Sequence, residues 1–178
     1  MITTERLFLR EMTTKDFTDL CLILQDDKVM TAYEGAFNDT EVSDWLAKQQ
    51  RNYRDHGIGL WAVILKENGR FIGQCGLTWQ EVEGEHLLEV GYLFNADYWH
   101  QGFATEAAIA CKKYAFKRLG ADKVFSIIRD TNRASQAVAL RNQMTPIKTI
   151  IKHYKQIDMP HTVYCVEKGG QWLFLVYN

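Results

Sequence analysis

The stretch from Glu89 to Glu106 constrains this chain more than any other. Leu87 to Phe94 is an apolar run too short for a helix and about right for a buried strand. It breaks at Asn95-Ala96-Asp97. A helix restarts near Gly102, because Ala104, Ala107, Ala108, Cys111 and Ala115 recur at 3- and 4-residue spacing. Strand, short loop with one glycine and helix start make a potential anion site. The first turn of a helix has N–H groups without intrahelical partners, and its macrodipole places about half a positive charge there. A glycine lets a phosphate approach those groups closely. The spacing alone fits a plain strand-to-helix turn equally well. It excludes a Walker loop, since no Gly-Lys-Ser/Thr follows, and a Rossmann fingerprint, since only Gly102 stands in the turn.

The flanking chain supplies a sheet. Leu7 to Arg10 reads as a first strand. Thr13-Thr14-Lys15-Asp16 has capping-box spacing before a helix carrying Phe17, Leu20, Cys21 and Leu24. Asp39-Thr40 offers a cap for a second helix that ends before His56-Gly57. Leu60 to Leu65, the Asn68-Gly69 turn and Phe71 to Leu77 form a hairpin. A polar turn at 82–85 returns the chain to the central strand. Leu119-Gly120 stops the long helix. Val124 to Ile128 is the next strand, reached by a crossover that implies one parallel pairing. Asp130-Thr131-Asn132 starts a further helix. Ile147 to Tyr154 and Val163 to Val166 are the last two strands, with a turn expected near Asp158-Met159-Pro160.

Tyr98-Trp99-His100-Gln101-Gly102-Phe103-Ala104-Thr105-Glu106-Ala107 resembles the pyrophosphate-binding motif of the GNAT N-acetyltransferases, and most closely the branch that includes the RimJ/RimL ribosomal-protein N-terminal acetyltransferases. The resemblance runs from Thr4-Glu5-Arg6-Leu7 to about Val166. It takes in Trp61-Ala62-Val63, Ile72-Gly73-Gln74-Cys75-Gly76-Leu77, Glu89-Val90-Gly91-Tyr92 and Asn132-Arg133-Ala134-Ser135 in order. It implies an α/β (α+β) fold: a mixed, mostly antiparallel central sheet with a splayed central strand, flanked by helices. The whole of 1–178 is then a single N-acetyltransferase domain. Residues 169–178 are an atypical apolar extension that either closes on the sheet or forms part of a homodimer contact.

Composition removes other classes. The chain has 178 residues, 47% hydrophobic and 12% aromatic, which suits one folded domain. A formal net charge of -1 gives no overall field for nucleic acid or an anionic membrane. No long apolar run or targeting segment is present, so the expected location is cytoplasmic. Cys21, Cys75, Cys111 and Cys165 form no C-x-x-C pair and read as buried free thiols. The five histidines lack ligand spacing, so no metal is expected.

The resemblance implies transfer of an acetyl group from acetyl-CoA to a primary amine. The backbone of Leu93 and Phe94 would meet the pantetheine arm. The pyrophosphate would sit over His100, Gln101, Gly102, Phe103, Ala104 and Thr105. Asn132 would contact the cofactor arm, or serve simply as an N-cap. Glu89 matches a glutamate used as general base, and Ser135 a serine near the CoA sulfur. Tyr33, Glu34 and Phe37 fall in the acceptor-cleft region, though both rings also suit an ordinary core. The implied acceptor is an N-terminal α-amine of a protein or peptide. Its reference pKa near ~8, against ~10.4 for a lysine side chain, asks for a weaker base. A small-molecule amine (a polyamine or aminoglycoside) and a non-catalytic acyl-CoA-binding module are the alternatives. Trp99 stands where the family has Gln or Arg, a mild departure because the Rim-like branch often has Trp there; the larger one is Gln143 where the family has Gly. A left-handed backbone at Gln143 costs on the order of 1 kcal/mol.

Overall fold

The computed structural model describes residues 1–154 and 156–169; the apolar extension beyond Gly169 lies outside them. The strands are β1 (Ile2–Thr3), β2 (Leu7–Arg10), β3 (Leu60–Leu65), β4 (Phe71–Val82), β5 (Glu85–Phe94), β6 (Lys123–Arg129), β7 (Thr145–Tyr154) and β8 (Ile157–Glu167). The helices are α1 (Phe17–Leu24), α2 (Asp39–His56), α3 (Phe103–Arg118) and α4 (Arg133–Arg141). Among the described residues the strands form one sheet in the order β1-β2-β3-β4-β5-β6-β8-β7. Every pairing is antiparallel except β5 with β6. None of the described helices is long and apolar enough to cross a membrane.

Alternation along β4 divides the helices between the two faces. The Cys75 thiol meets the Cys111 thiol of α3 at 3.7 Å, and Trp61, paired with Cys75, stacks edge-on against Tyr114 of α3 at 5.5 Å. Gln74 points the other way and accepts from the Trp45 indole of α2 at 2.9 Å. The stripe of Ala107, Ala108, Cys111 and Ala115 is fully buried, so α3 lies close on the sheet.

Local chemistry explains most of the ends. Thr13 and Asp16 form the expected capping box, and Asp16 also takes a two-pronged bond from Arg10 at 2.7 and 2.8 Å. Burial alone would raise the Asp16 pKa, but the bonds from Arg10 and Thr13 outweigh it and hold it low. The second helix is capped by Asn38 rather than by Asp39-Thr40. Asn38 and Glu41 exchange the bonds of a capping box, and Asp39 becomes the first helical residue. The turn before β8 also falls earlier than Asp158-Met159-Pro160. Gln156 takes a left-handed φ of 64°, and Pro160 sits inside β8 with its carbonyl accepting from the Asp130 N–H.

Gln143 is left-handed, with φ 65°. Its side-chain carbonyl accepts from the Lys112 ammonium at 3.3 Å, and the same ammonium donates to the Asn142 carbonyl at 2.7 Å. Lys112 is buried and its pKa is lowered by that burial, so these acceptors matter. Losing a bond to a charged group costs about 1.5–3 kcal/mol, more than the roughly 1 kcal/mol of backbone strain that glycine relieves. We expect Gln143→Gly to lower stability by about 1 kcal/mol, or about 2–4 °C in Tm. A thermal melt checks this, and a rise in Tm would show that the strain dominates.

Candidate active site

The site forms where β5 and β6 part. Their one paired position is Glu89 with Phe125. Immediately beyond it, side chains take over the ladder. The Ile127 N–H donates to the Glu89 carboxylate at 3.0 Å, and the Ser126 hydroxyl donates to the Val90 carbonyl at 3.0 Å. The strands then diverge. Asn95 N–H bonds the Ile72 carbonyl on β4. By alternation Leu93 also turns its backbone to β4, while Val90, Tyr92 and Phe94 face the open side. The Phe94 carbonyl is taken by the Trp99 indole N–H at 2.9 Å. Trp99 therefore holds the end of β5 and does not reach toward the helix start.

That helix start has the features of an anion cradle. Gly102 is left-handed, φ 82°, and caps α3 without a side chain. His100, two residues earlier, is also left-handed, φ 59°. Such backbone turns N–H groups into a concavity. The Glu106 N–H already bonds the Gly102 carbonyl, so the first-turn N–H groups of Phe103, Ala104 and Thr105 are those left for a ligand. Arg6 braces the loop from outside: it donates to the Gln101 carbonyl at 3.0 Å, lies 4.4 Å from the Phe103 ring centre and pairs with Glu106 at 2.7 Å. An open groove of about 780 Å³ runs from His100, Gly102 and Thr105 along α3 to Lys113 and Arg141. Glu5 and Glu106 also line the groove, Glu106 being paired with Arg6, so it is the free amide donors at the helix start, with Lys113 and Arg141 further along, that suit a diphosphate.

Asn132 caps α4, its side-chain oxygen accepting from the Ser135 N–H at 3.1 Å. The Ser135 carbonyl accepts from the Tyr92 hydroxyl at 2.9 Å, which ties α4 to β5 beside the gap. Burial pushes the Tyr92 pKa up, so it stays protonated. Burial likewise pushes the Glu89 carboxyl above its ordinary value, while Lys152, the Ile127 N–H and Lys48 pull it partly back. Glu89 thus lies where β5 and β6 part, and the Ser135 backbone is tied to β5 through Tyr92. By alternation Glu89 sits on the α2 face and Tyr92 on the α3 face.

Tyr33 and Phe37 form an edge-on aromatic triad with Trp45, with ring centres 5.7–6.1 Å apart. Glu34 makes a close ion pair with Arg129 at the end of β6. Sequence reasoning left Trp45, Arg129 and Lys152 out of the site. Trp45 carries a helix-periodic signal only, and the two cations reach the site through strand register.

Residues 6–145 match the acetyltransferase (GNAT) domain family, and the chain belongs to it. It is therefore an acetyltransferase with acetyl-CoA as acyl donor. It is 37% identical over 157 residues to the uncharacterized protein YkkB of Bacillus subtilis (strain 168), covering 88% of this chain and 91% of that one. The fold superposes on a GNAT-family acetyltransferase from Bacillus anthracis with a TM-score of 0.79, at 25% identity over 93% of this chain and 97% of that one. It also superposes on RimL, a ribosomal α-N-protein acetyltransferase solved with coenzyme A, with a TM-score of 0.76, at 16% identity over 92% of this chain and 95% of that one. At that identity the second likeness speaks for the fold alone.

Proposed function

We propose that this acetyltransferase modifies the N-terminal α-amine of a protein or peptide, in the manner of the RimJ/RimL branch, with Glu89 as general base. The observation that carries the proposal is the placement of Glu89. It stands where β5 and β6 separate, on the face of α2 and the aromatic triad, with a carboxyl raised by burial. A raised carboxylate is a moderate base, which suits an α-amine better than a lysine side chain. Acetyl-CoA, when bound, supplies the acetyl group as a thioester. The amide donors of Phe103, Ala104 and Thr105 hold its diphosphate, with Gln101 and His100 shaping the loop. The open side of β5 at Tyr92 and Phe94 lines the path of the pantetheine arm, with the Phe94 carbonyl held by Trp99 and Leu93 turned to β4, and Asn132 closes it from α4. Tyr33, Glu34 and Phe37 form the acceptor wall.

Glu89 takes the proton of the incoming amine, directly or through one water. The Ser135 hydroxyl, in the first turn of α4, donates a hydrogen bond to the departing sulfur. Tyr92 positions that turn through the Ser135 carbonyl. Ser135→Ala is expected to lower kcat at least about tenfold with little change in the Kd of acetyl-CoA, because the missing donor acts on charge that develops during transfer. Single-turnover rates and a binding titration check it together. A weaker Kd with unchanged kcat would make Ser135 a binding residue only.

A further inference from the structure

The acceptor wall has a charge pattern that narrows the acceptor further. Register places Ile127 opposite Val163, Arg129 opposite His161, and Lys152 opposite Met159. Alternation then puts Arg129, His161 and Lys152 on the face that carries Glu89. Below them Ile127, Ile150 and Val163 form a small buried apolar cluster with Leu87 and Val82. The polar rim above it does not balance. Arg129 is neutralised by Glu34. His161 is half-buried, its Nδ1 2.9 Å from the Met159 carbonyl, and burial lowers its pKa, so it stays neutral near pH 7. Asp158, on the paired strand, is engaged by His153. On α2, Lys48 shares a shallow pocket with Arg51, Glu41 and Asp44, where the signs cancel. Among the described residues Lys152 is the cation these pairs leave over, and the acid its field meets is Glu89 itself. It is half-buried and makes no ion pair among the described residues, and its field reaches both Glu89 and His161.

Resting on the α-amine reading above, we infer that the acceptor carries a carboxylate within the first residues after its amine, and that Lys152 reads it. An ammonium that makes no ion pair, its field falling on the base itself, repels polycationic amines and attracts a carboxylate. It also lowers the pKa of a bound amine, which favours the neutral nucleophile. Polyamines and aminoglycosides present the wrong sign to this wall.

The test uses three short peptides identical except at their second and third residues, which are Asp-Asp, Gln-Gln or Lys-Lys. Spermidine and kanamycin serve as small polycations. Acetyl transfer is followed by CoA thiol release with the full chain. The expected result is a kcat/KM for the acidic peptide about tenfold above that of the basic one. Lys152→Glu should reverse that order while leaving the Kd of acetyl-CoA unchanged, and Lys152→Gln should flatten it. Equal use of the three peptides by the wild-type chain would overturn the carboxylate preference and leave the α-amine reading standing. Acetylation of spermidine or kanamycin with none of the peptides would overturn the α-amine reading and the carboxylate preference with it.

Discussion

Glu89→Gln should lower kcat about a hundredfold while acetyl-CoA binds as before. Glutamine keeps the shape of the side chain and can still accept from the Ile127 N–H. The splay of β5 and β6 therefore survives, and only the proton acceptor is lost. General-base catalysis is worth about 10²–10⁴-fold, and an α-amine, already partly neutral near pH 8, sits at the lower end. The pH profile gives a second reading. Burial raises the Glu89 pKa, so in the wild-type enzyme the acidic limb of kcat/KM lies above the ordinary carboxylate range. As pH falls through the raised pKa the carboxylate is protonated and activity drops. That limb should vanish in Glu89→Gln. Equal turnover in the variant, or an unchanged acidic limb, removes Glu89 as the base. The same shift has a sign for stability. A carboxyl raised by burial favours the folded state more as pH falls, so the variant should be slightly more stable than wild type at neutral pH and lose that advantage in acid.

The largest effect on stability is expected at Gly76. A Cβ there would lie 1.9 Å from the Gly59 carbonyl oxygen. That carbonyl also accepts from the Leu77 N–H at 3.1 Å, so it cannot simply withdraw. Its neighbour Leu60 is fixed from α2: Gln49 accepts from the Leu60 N–H at 3.0 Å, and the Tyr53 hydroxyl bonds the Leu60 carbonyl. Gly76→Ala must therefore push β3 from β4 beside the active strand, at a cost of about 3 kcal/mol. In a chain of this size that is a fall of about 6–12 °C in Tm. Gly84→Ala is the control. Its added Cβ meets nothing within 4 Å, and only the left-handed φ of 82° opposes it, for about 1 kcal/mol. Equal melting points for the two variants would show that the contact at Gly59 relaxes freely.

Much of this was legible in the sequence because it is local. The strand, the single-glycine turn and the alanine stripe of α3 lie within thirty residues and obey spacing rules, and they appear as read. The Thr13 capping box and the Gly120 stop are of the same kind. Helix ends with competing caps were harder: Asn38, Asp39 and Thr40 are all good N-caps, and the choice fell to Asn38 because Glu41 stands three residues on and completes the box. The turn at Gln156 was hidden because a proline two residues after an aspartate is the stronger turn signal. Pro160 is tolerated in β8 because its carbonyl is the group in use there. The role of Trp99 was illegible, since nothing in the motif says that the indole folds back onto the Phe94 carbonyl. The charges around Glu89 were least visible. Lys152 reaches that face only because β8 inserts between β6 and β7, and Arg129 is neutralised by a glutamate from the loop after α1.

The measurement that tests the account most directly is mass analysis of a peptide incubated with the enzyme and acetyl-CoA, with the acetylated nitrogen located by fragmentation. The peptide carries a free α-amine, acidic residues at its second and third positions and one internal lysine. The expected product carries one acetyl group, on the α-amine, and is lost with Glu89→Gln. Acetylation of the lysine side chain instead, or an α-amine product formed equally fast by Glu89→Gln, would contradict this expectation.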